Sequence, residues 1–304
     1  MTPPVTTELG QNDSPLPCVL VFNANDPCAA GGLSCDALTI ASVGGHALPV
    51  VTGCYARDTA EIFDHFCFDE EAVAEQARTL LEDVPVQIIK VGFAGSAENL
   101  SSIAEIASDY PDVPLVAYMP NLSWWSEIQT DLYLDAFHEL ILPQTTVLVG
   151  NHSTLWRWLL PDWNSERQPT ARDIARAAGE MGVAYTVVTG MPSPHQFIEN
   201  VLATPQVVVS SEKFERIEAI FSGAGDTLSA CLAALLASGC DMGDAFTESL
   251  SYLDRCLDSG FRPGMGHVIP DRLFWAQPET DDNSDELNDA LSAPFDLPPH
   301  DTQH

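Results

Sequence analysis

Positive charge is scarce in this chain. Among 304 residues, twelve Lys and Arg face forty-four Asp and Glu, a formal net charge of −32 at pH 7, and only Lys90 and Lys213 are lysines. Without a basic footprint to neutralise phosphates, a nucleic-acid partner is not expected. Attachment to an anionic membrane surface is disfavoured for the same reason. The eight cysteines include no C-x-x-C pair, and no histidine pair stands beside them at ligand spacing, which argues against a zinc site. Residues 1–15 have neither the basic start nor the apolar stretch of a signal peptide, and no apolar run is long enough to span a bilayer. A cytoplasmic protein with reduced thiols and a small-molecule substrate is the expectation.

Apolar material is ample: 45% of residues are hydrophobic and 18% charged, which excludes a disordered chain and suffices for one large core. Part of the acidity sits in one place. Residues 278–304 hold eight Asp and Glu and no Lys or Arg. Like charges repel there, so a flexible, solvated tail is expected, with docking of Leu287, Leu291 and Phe295 as the alternative. Residues 1–17 are expected to be a flexible segment and 18–277 one domain. The body itself stays acidic, as a salt-rich cytoplasm would permit by screening; greater stability in molar KCl than in dilute buffer is the expected sign.

Short apolar runs alternate with helical periodicity along the body. Strands are expected at 18–23, 47–53, 62–68, 87–93, 113–118, 145–150 and 183–189, with two or three more between 196 and 220. Helices are expected at 33–44, 69–83 (Asp69 as N-cap), 96–108, 130–142, 152–160, 170–181, from about 224, and at 241–258. This order predicts a single α/β domain, a mostly parallel sheet with helices on both faces. Ligands of such sheets bind at the carboxyl ends of the strands, in the loops after 23, 57, 92, 118, 150, 189 and 221.

Two of those loops carry chemistry. Ser222-Gly223-Ala224-Gly225-Asp226 precedes a helix apolar on nearly every side, and is expected to follow a strand. Small residues allow a sharp turn, and the first helical amides then form an anion site helped by the dipole. Asp226 beside it could take a hydroxyl proton during attack on phosphorus while the amides stabilise the phosphoryl charge. The plain alternative is a Gly-rich turn whose Asp caps a buried helix; no Lys-Ser/Thr follows, so it is not a P-loop. The first loop, Asn25-Asp26-Pro27 then Ala30-Gly31-Gly32 with Asp36 a turn later, could clamp a small polar ring, or be a tight turn with Asp36 in water.

Taken in order, these segments resemble the phosphomethylpyrimidine kinases of thiamine biosynthesis, in the ribokinase-like superfamily. NDPCAAGGLSCD is similar to that family's (S/N)DPSGGAGxxxD loop, VVTGCYARDT to its V-x-T-A-x-x-x-Q-x-T stretch, Ile89-Lys90-Val91-Gly92 to its K-(I/V)-G-M, and GAGDTLSA to its anion-hole motif. The closing FRPGMGHVIPDRLFWA resembles a proteobacterial branch. The resemblance implies a ribokinase-like fold, ATP and Mg²⁺, and phosphorylation of 4-amino-5-hydroxymethyl-2-methylpyrimidine and then of its monophosphate. It makes Asp226 the base and gives anion-hole amides to Gly223, Ala224 and Gly225. Ala24, Asp26, Gly31, Asp36, Arg57 and Phe93 fall at substrate positions, and Asn151, Thr189 and Gly190 at nucleotide positions. A homodimer is a further expectation.

The departures are specific. Arg57 replaces a Gln and Phe93 a Met. Cys28-Ala29-Ala30-Gly31-Gly32 adds Cβ atoms where glycines let a ligand approach. Tyr118-Met119-Pro120 stands for D-P-V, Trp124 and Trp125 for glycines, and Thr154 for the carboxylate of the N-x-x-E that helps hold magnesium water, so no metal ligand is assigned. Two alternatives follow: a catalytically degenerate ligand-binding relative, or a kinase of another hydroxymethyl heterocycle such as pyridoxal. Trp124, Trp125, Trp156, Trp158 and Trp163 are expected to pack on a core, with a ring-stacking site or a lid as the alternative.

Overall fold

The first apolar run folds as a buried strand, β1 (Cys18–Asn25), in a computed structural model that describes residues 16–276. The acidic tail and nearly all of the N-terminal segment lie outside the described residues. Side chains of β1 alternate between two cores, Leu20, Phe22 and Ala24 to one face and Val19 and Val21 to the other. The chain continues through α1 (Gly32–Ser42), β2 (His46–Arg57), β3 (Ile62–Cys67), α2 (Glu70–Asp83), β4 (Ile88–Val91) and α3 (Ala97–Asp109). Next come β5 (Leu115–Met119), α4 (Glu127–Ala136), β6 (Val147–Asn151), α5 (His152–Leu159), α6 (Ala171–Glu180) and β7 (Tyr185–Pro192). Two antiparallel strands, β8 (Phe197–Ala203) and β9 (Val208–Glu215), precede α7 (Ala224–Ala237) and α8 (Met242–Asp258).

All nine strands form one sheet in the order β3-β2-β1-β4-β5-β6-β7-β8-β9. Strands β2, β1, β4, β5, β6 and β7 run parallel, and β3, β8 and β9 are antiparallel additions at the edges. Helices α2 to α6 cover the first core and α1, α7 and α8 the second. The predicted α/β architecture is therefore the observed one. The order reverses at β1, which lies between β2 and β4, so the crevice at their carboxyl ends is the natural ligand position.

Asp69 caps α2 as expected, its carboxylate accepting from the Ala72 amide at 2.8 Å. Two expectations are corrected. The helix expected at 130–142 begins earlier, where Ser126 caps α4, and ends in a π turn at Phe137–Ile141 and a 3₁₀ turn at Leu142–Gln144. Pro143 lacks an N–H, so the α pattern cannot continue through it. The strand expected before Ser222 is a lone bridge from Phe221 to Val268. That segment crosses from the edge strand β9 back to the middle of the sheet and has no neighbour to pair along its length.

Candidate active site

The amino end of α7 meets the first loop under β1. Gly223 is the N-cap, at φ +89°, and its Cα touches the Ala30 carbonyl so closely that any Cβ would overlap it. No side chain caps α7, and Asp226 lies in its first turn. Arg272 fastens the two segments together. Its guanidinium donates to the carbonyls of Ala29 (3.0 Å) and Ala30 and to Thr227 Oγ1 (3.1 Å). Ala29 is held at φ +52°, the left-handed region, at one of the positions where a glycine was displaced.

Beneath Asp226 runs a chain of buried polar groups. Asn23 Nδ2 donates to Asp226 Oδ1 at 3.1 Å and to Asp36 Oδ2 at 2.8 Å, and Asp36 Oδ1 pairs with Lys90 Nζ at 2.9 Å. Asn23 Oδ1 accepts from the amides of Ala24 (2.9 Å) and Phe93 (3.0 Å), which fixes its orientation across β1 and β4. Asp36 and Lys90 are both 0% exposed. Burial pushes the Asp36 carboxyl up to about 6, with Lys90 pulling it down and Asp226 adding to the rise. A Cβ on Gly31 would stand 2.8 Å from Asp226 Oδ2, so a side chain there would crowd the carboxylate.

Above these groups opens a cavity of about 660 Å³ lined by Asn23, Asp26, Gly31, Gly223 and Asp226 on its floor. The β2–β3 hairpin overhangs it and carries Arg57, whose Nη1 pairs with Asp26 Oδ2 at 3.1 Å. Asp26 also accepts from the amides of Cys28 and Gly31, both at 2.8 Å, and so shapes the first loop. Asp58 tightens the hairpin turn by accepting from Ala60 and Glu61, and those backbone bonds hold its carboxyl below the usual range. The far wall is aromatic. Tyr55 stacks on Phe93 (centroids 5.6 Å) and Trp124 meets both edge-on at 5.8 and 5.6 Å.

On the other side of the α7 amino end lies an apolar cavity of about 270 Å³, lined by Thr189, Gly190, Ala224, Gly225, Leu228 and Leu250 among others. It adjoins a wider cleft of about 940 Å³ that includes Gly190, Arg216 and Arg262. Gly223 and Asp226 face the polar cavity, while Ala224 and Gly225 face the apolar one. The first turn of α7 is thus the partition between two ligand spaces.

The donor set does not fit a protein-held magnesium ion. Among the described residues no group of three or more His, Cys, Asp or Glu could hold a metal. Asp26 and Asp36 are committed to Arg57 and Lys90, and Tyr118 stands at the end of β5 with its hydroxyl against Gly225. Thr154 lines a separate cavity of about 310 Å³ with Arg157 and Trp158.

Of the residues expected at the substrate, Asp26, Gly31, Arg57 and Phe93 line the polar cavity. Ala24 and Asp36 do not reach it: both are fully buried, Ala24 in the core and Asp36 against Lys90, because a carboxylate next to a buried lysine is drawn inward. Thr189 and Gly190 line the apolar cavity, whereas Asn151 caps α5 and sits beside Gly190. Trp156 and Trp158 pack against the core, Trp163 donates to the Arg167 carbonyl, and Trp124 alone of the five lines the polar cavity. Sequence reasoning missed Asn23, Tyr55 and Arg272. The last lay within the recognised closing stretch as one of only twelve basic residues, which was a usable signal.

The sequence profile of the phosphomethylpyrimidine kinase family matches residues 26–271. The chain is 24% identical over 254 residues to the chloroplastic thiamine biosynthetic bifunctional enzyme of Arabidopsis thaliana, covering 80% of this chain and 47% of that one, about half its length. It is 25% identical over 280 residues to the hydroxymethylpyrimidine/phosphomethylpyrimidine kinase of Streptomyces coelicolor, covering 90% and 97%. Among solved structures, an ADP complex of Bacillus subtilis pyridoxal kinase superposes with a TM-score of 0.76 at 19% identity, covering 87% of this chain and 100% of that one. The phosphomethylpyrimidine kinase of Clostridium difficile gives 0.63 at 17% identity, covering 78% and 98%. Both likenesses establish a ribokinase-like fold.

Proposed function

The chain belongs to the phosphomethylpyrimidine kinase family of ATP-dependent small-molecule kinases, and from that premise we propose that it phosphorylates 4-amino-5-hydroxymethyl-2-methylpyrimidine and then its monophosphate. One observation carries the reading: Asp226 sits on the partition between a polar, aromatic-walled cavity and an apolar cleft flanked by Arg216. The alcohol lies in the polar cavity with its ring against Tyr55, Phe93 and Trp124. The nucleotide lies across Thr189 and Gly190 with its phosphates at the amino end of α7.

In the transfer, the hydroxymethyl oxygen attacks the γ-phosphorus and the bond to the ADP oxygen breaks. Asp226 accepts the hydroxyl proton, and Asn23 holds the carboxylate in place from Oδ1, leaving Oδ2 toward the cavity. The first amides of α7 receive the charge that develops on the phosphoryl oxygens. The Lys90–Asp36 pair positions Asn23 from below and touches neither substrate.

A second reading, a kinase of pyridoxal, shares this chemistry and is favoured by the aromatic wall, which accepts any flat ring. ATP-dependent assays with the pyrimidine, its monophosphate and pyridoxal separate the readings. The proposed function expects ADP formation dependent on the pyrimidine, with kcat/KM highest for that ring. Higher kcat/KM for pyridoxal would shift the assignment, and no alcohol-dependent turnover with any of the three would mark a degenerate relative.

A further inference from the structure

Tyr118 is the one polar side chain at the partition that the transfer described above leaves without a task. It stands at the carboxyl end of β5 and lines the polar cavity. Its hydroxyl lies against Gly225 so closely that any Cβ at that position would overlap it. This is the mouth of the first turn of α7, where amides point outward and the helix dipole is positive. Among the described residues the hydroxyl has no hydrogen-bond partner, so its proton is available to a ligand. Burial first, then the adjacent Asp226 carboxylate, raises the phenol well above its ordinary value, and it stays a donor at any working pH.

The same position decides the charge that a triphosphate meets. A carboxylate at 118 would repel the phosphates and require a divalent cation between them; a phenol offers a neutral O–H instead. Thr154 is uncharged and faces another cavity. Arg216 and Arg262, on the cleft beside Gly190, add positive charge in a chain that has only twelve basic residues.

Resting on the kinase reading, we propose that Tyr118 donates a hydrogen bond to the terminal phosphate of the bound nucleotide, so that this chain binds a nucleoside triphosphate without a protein-held divalent cation.

Isothermal titration calorimetry of the full chain with AMP-PCP, whose terminal phosphoryl cannot be transferred, tests this in EDTA and in excess Mg²⁺. The wild-type Kd is expected to agree between the two conditions within about threefold, since no protein carboxylate needs screening. Tyr118→Phe should weaken AMP-PCP about tenfold, as loss of a hydrogen bond to a charged group does, while adenosine binding is unchanged. Tyr118→Asp should weaken AMP-PCP in EDTA by about tenfold or more and regain it with Mg²⁺. Wild-type binding that requires Mg²⁺ overturns the proposal and leaves the kinase reading intact; this arm needs no variant. Equal AMP-PCP affinity for Tyr118→Phe and wild type overturns it as well. Absence of binding in both conditions overturns the kinase reading together with it.

Discussion

The two sides of Asp226 are furnished in different ways. On the alcohol side the charged groups already have buried partners: Asp26 with Arg57 at 3.1 Å, Asp36 with Lys90 at 2.9 Å, and Asn23 tied to both Asp36 and Asp226. On the phosphate side the groups are neutral or exposed: backbone amides, the Tyr118 hydroxyl, Thr189, and arginines at the cleft. The first arrangement fixes geometry, because buried charges tolerate little movement without losing their partner. The second leaves donors open for a ligand that brings its own charge. A substrate hydroxyl must be aligned to within a few tenths of an ångström, whereas a polyphosphate needs a field and a few donors.

The largest expected effect lies on the partition itself. Asp226→Asn should lower kcat about 10²–10⁴-fold, the usual loss of a general base, with nucleotide Kd nearly unchanged by calorimetry. An equal loss in nucleotide binding would show that Asp226 holds phosphate and not a proton. Next comes the buried pair. Lys90→Met leaves Asp36 charged without a partner and should cost about 3–5 kcal/mol in urea unfolding, most of it regained in the double variant with Asp36→Asn. If the single variant unfolds like wild type, the alcohol side is not the rigid one.

A smaller effect is expected at the aromatic wall. Trp124→Ala removes edge contacts to Tyr55 and Phe93 and should raise the KM for the alcohol about threefold to tenfold, leaving the KM for ATP alone. A rise in the ATP value instead would put the ring on the nucleotide side. The smallest is in pH dependence. The folded Asp36 carboxyl lies at about 6, above its value of 3.8 in a free chain, so the folded state holds a proton that the unfolded state has released. Its contribution to stability is therefore full below 3.8 and is lost as pH rises through about 6. The difference in unfolding free energy between wild type and Asp36→Asn should change across that window and be flat above it.

Much of this division could be read in the sequence, for reasons that differ between the sides. The G-A-G-D turn announces itself because a sharp turn into an apolar helix needs small residues, and the alternation of short runs with helices dictates a parallel sheet. Asp26 and Arg57 were legible as site residues from motif position. Asn23 was not, since an asparagine at the end of a strand looks like any polar stop, and its role depends on four partners from distant parts of the chain. Arg272 acts on a loop more than two hundred residues away, a contact that no local pattern encodes. The scarcity of positive charge, which first excluded nucleic acid, acquires a structural meaning: Arg57, Lys90, Arg216, Arg262 and Arg272 all lie on or under the two ligand spaces. A strongly acidic body can thus still present local positive charge where a polyanion must sit.

The account stands on phosphoryl transfer from ATP to an alcohol across Asp226. Phosphorus NMR of the purified chain with ATP and 4-amino-5-hydroxymethyl-2-methylpyrimidine reads that event directly. The account predicts a phosphomonoester resonance growing in step with ADP, and neither signal when the alcohol is omitted. ADP and inorganic phosphate without the ester, or ATP left intact with the alcohol present, would contradict it.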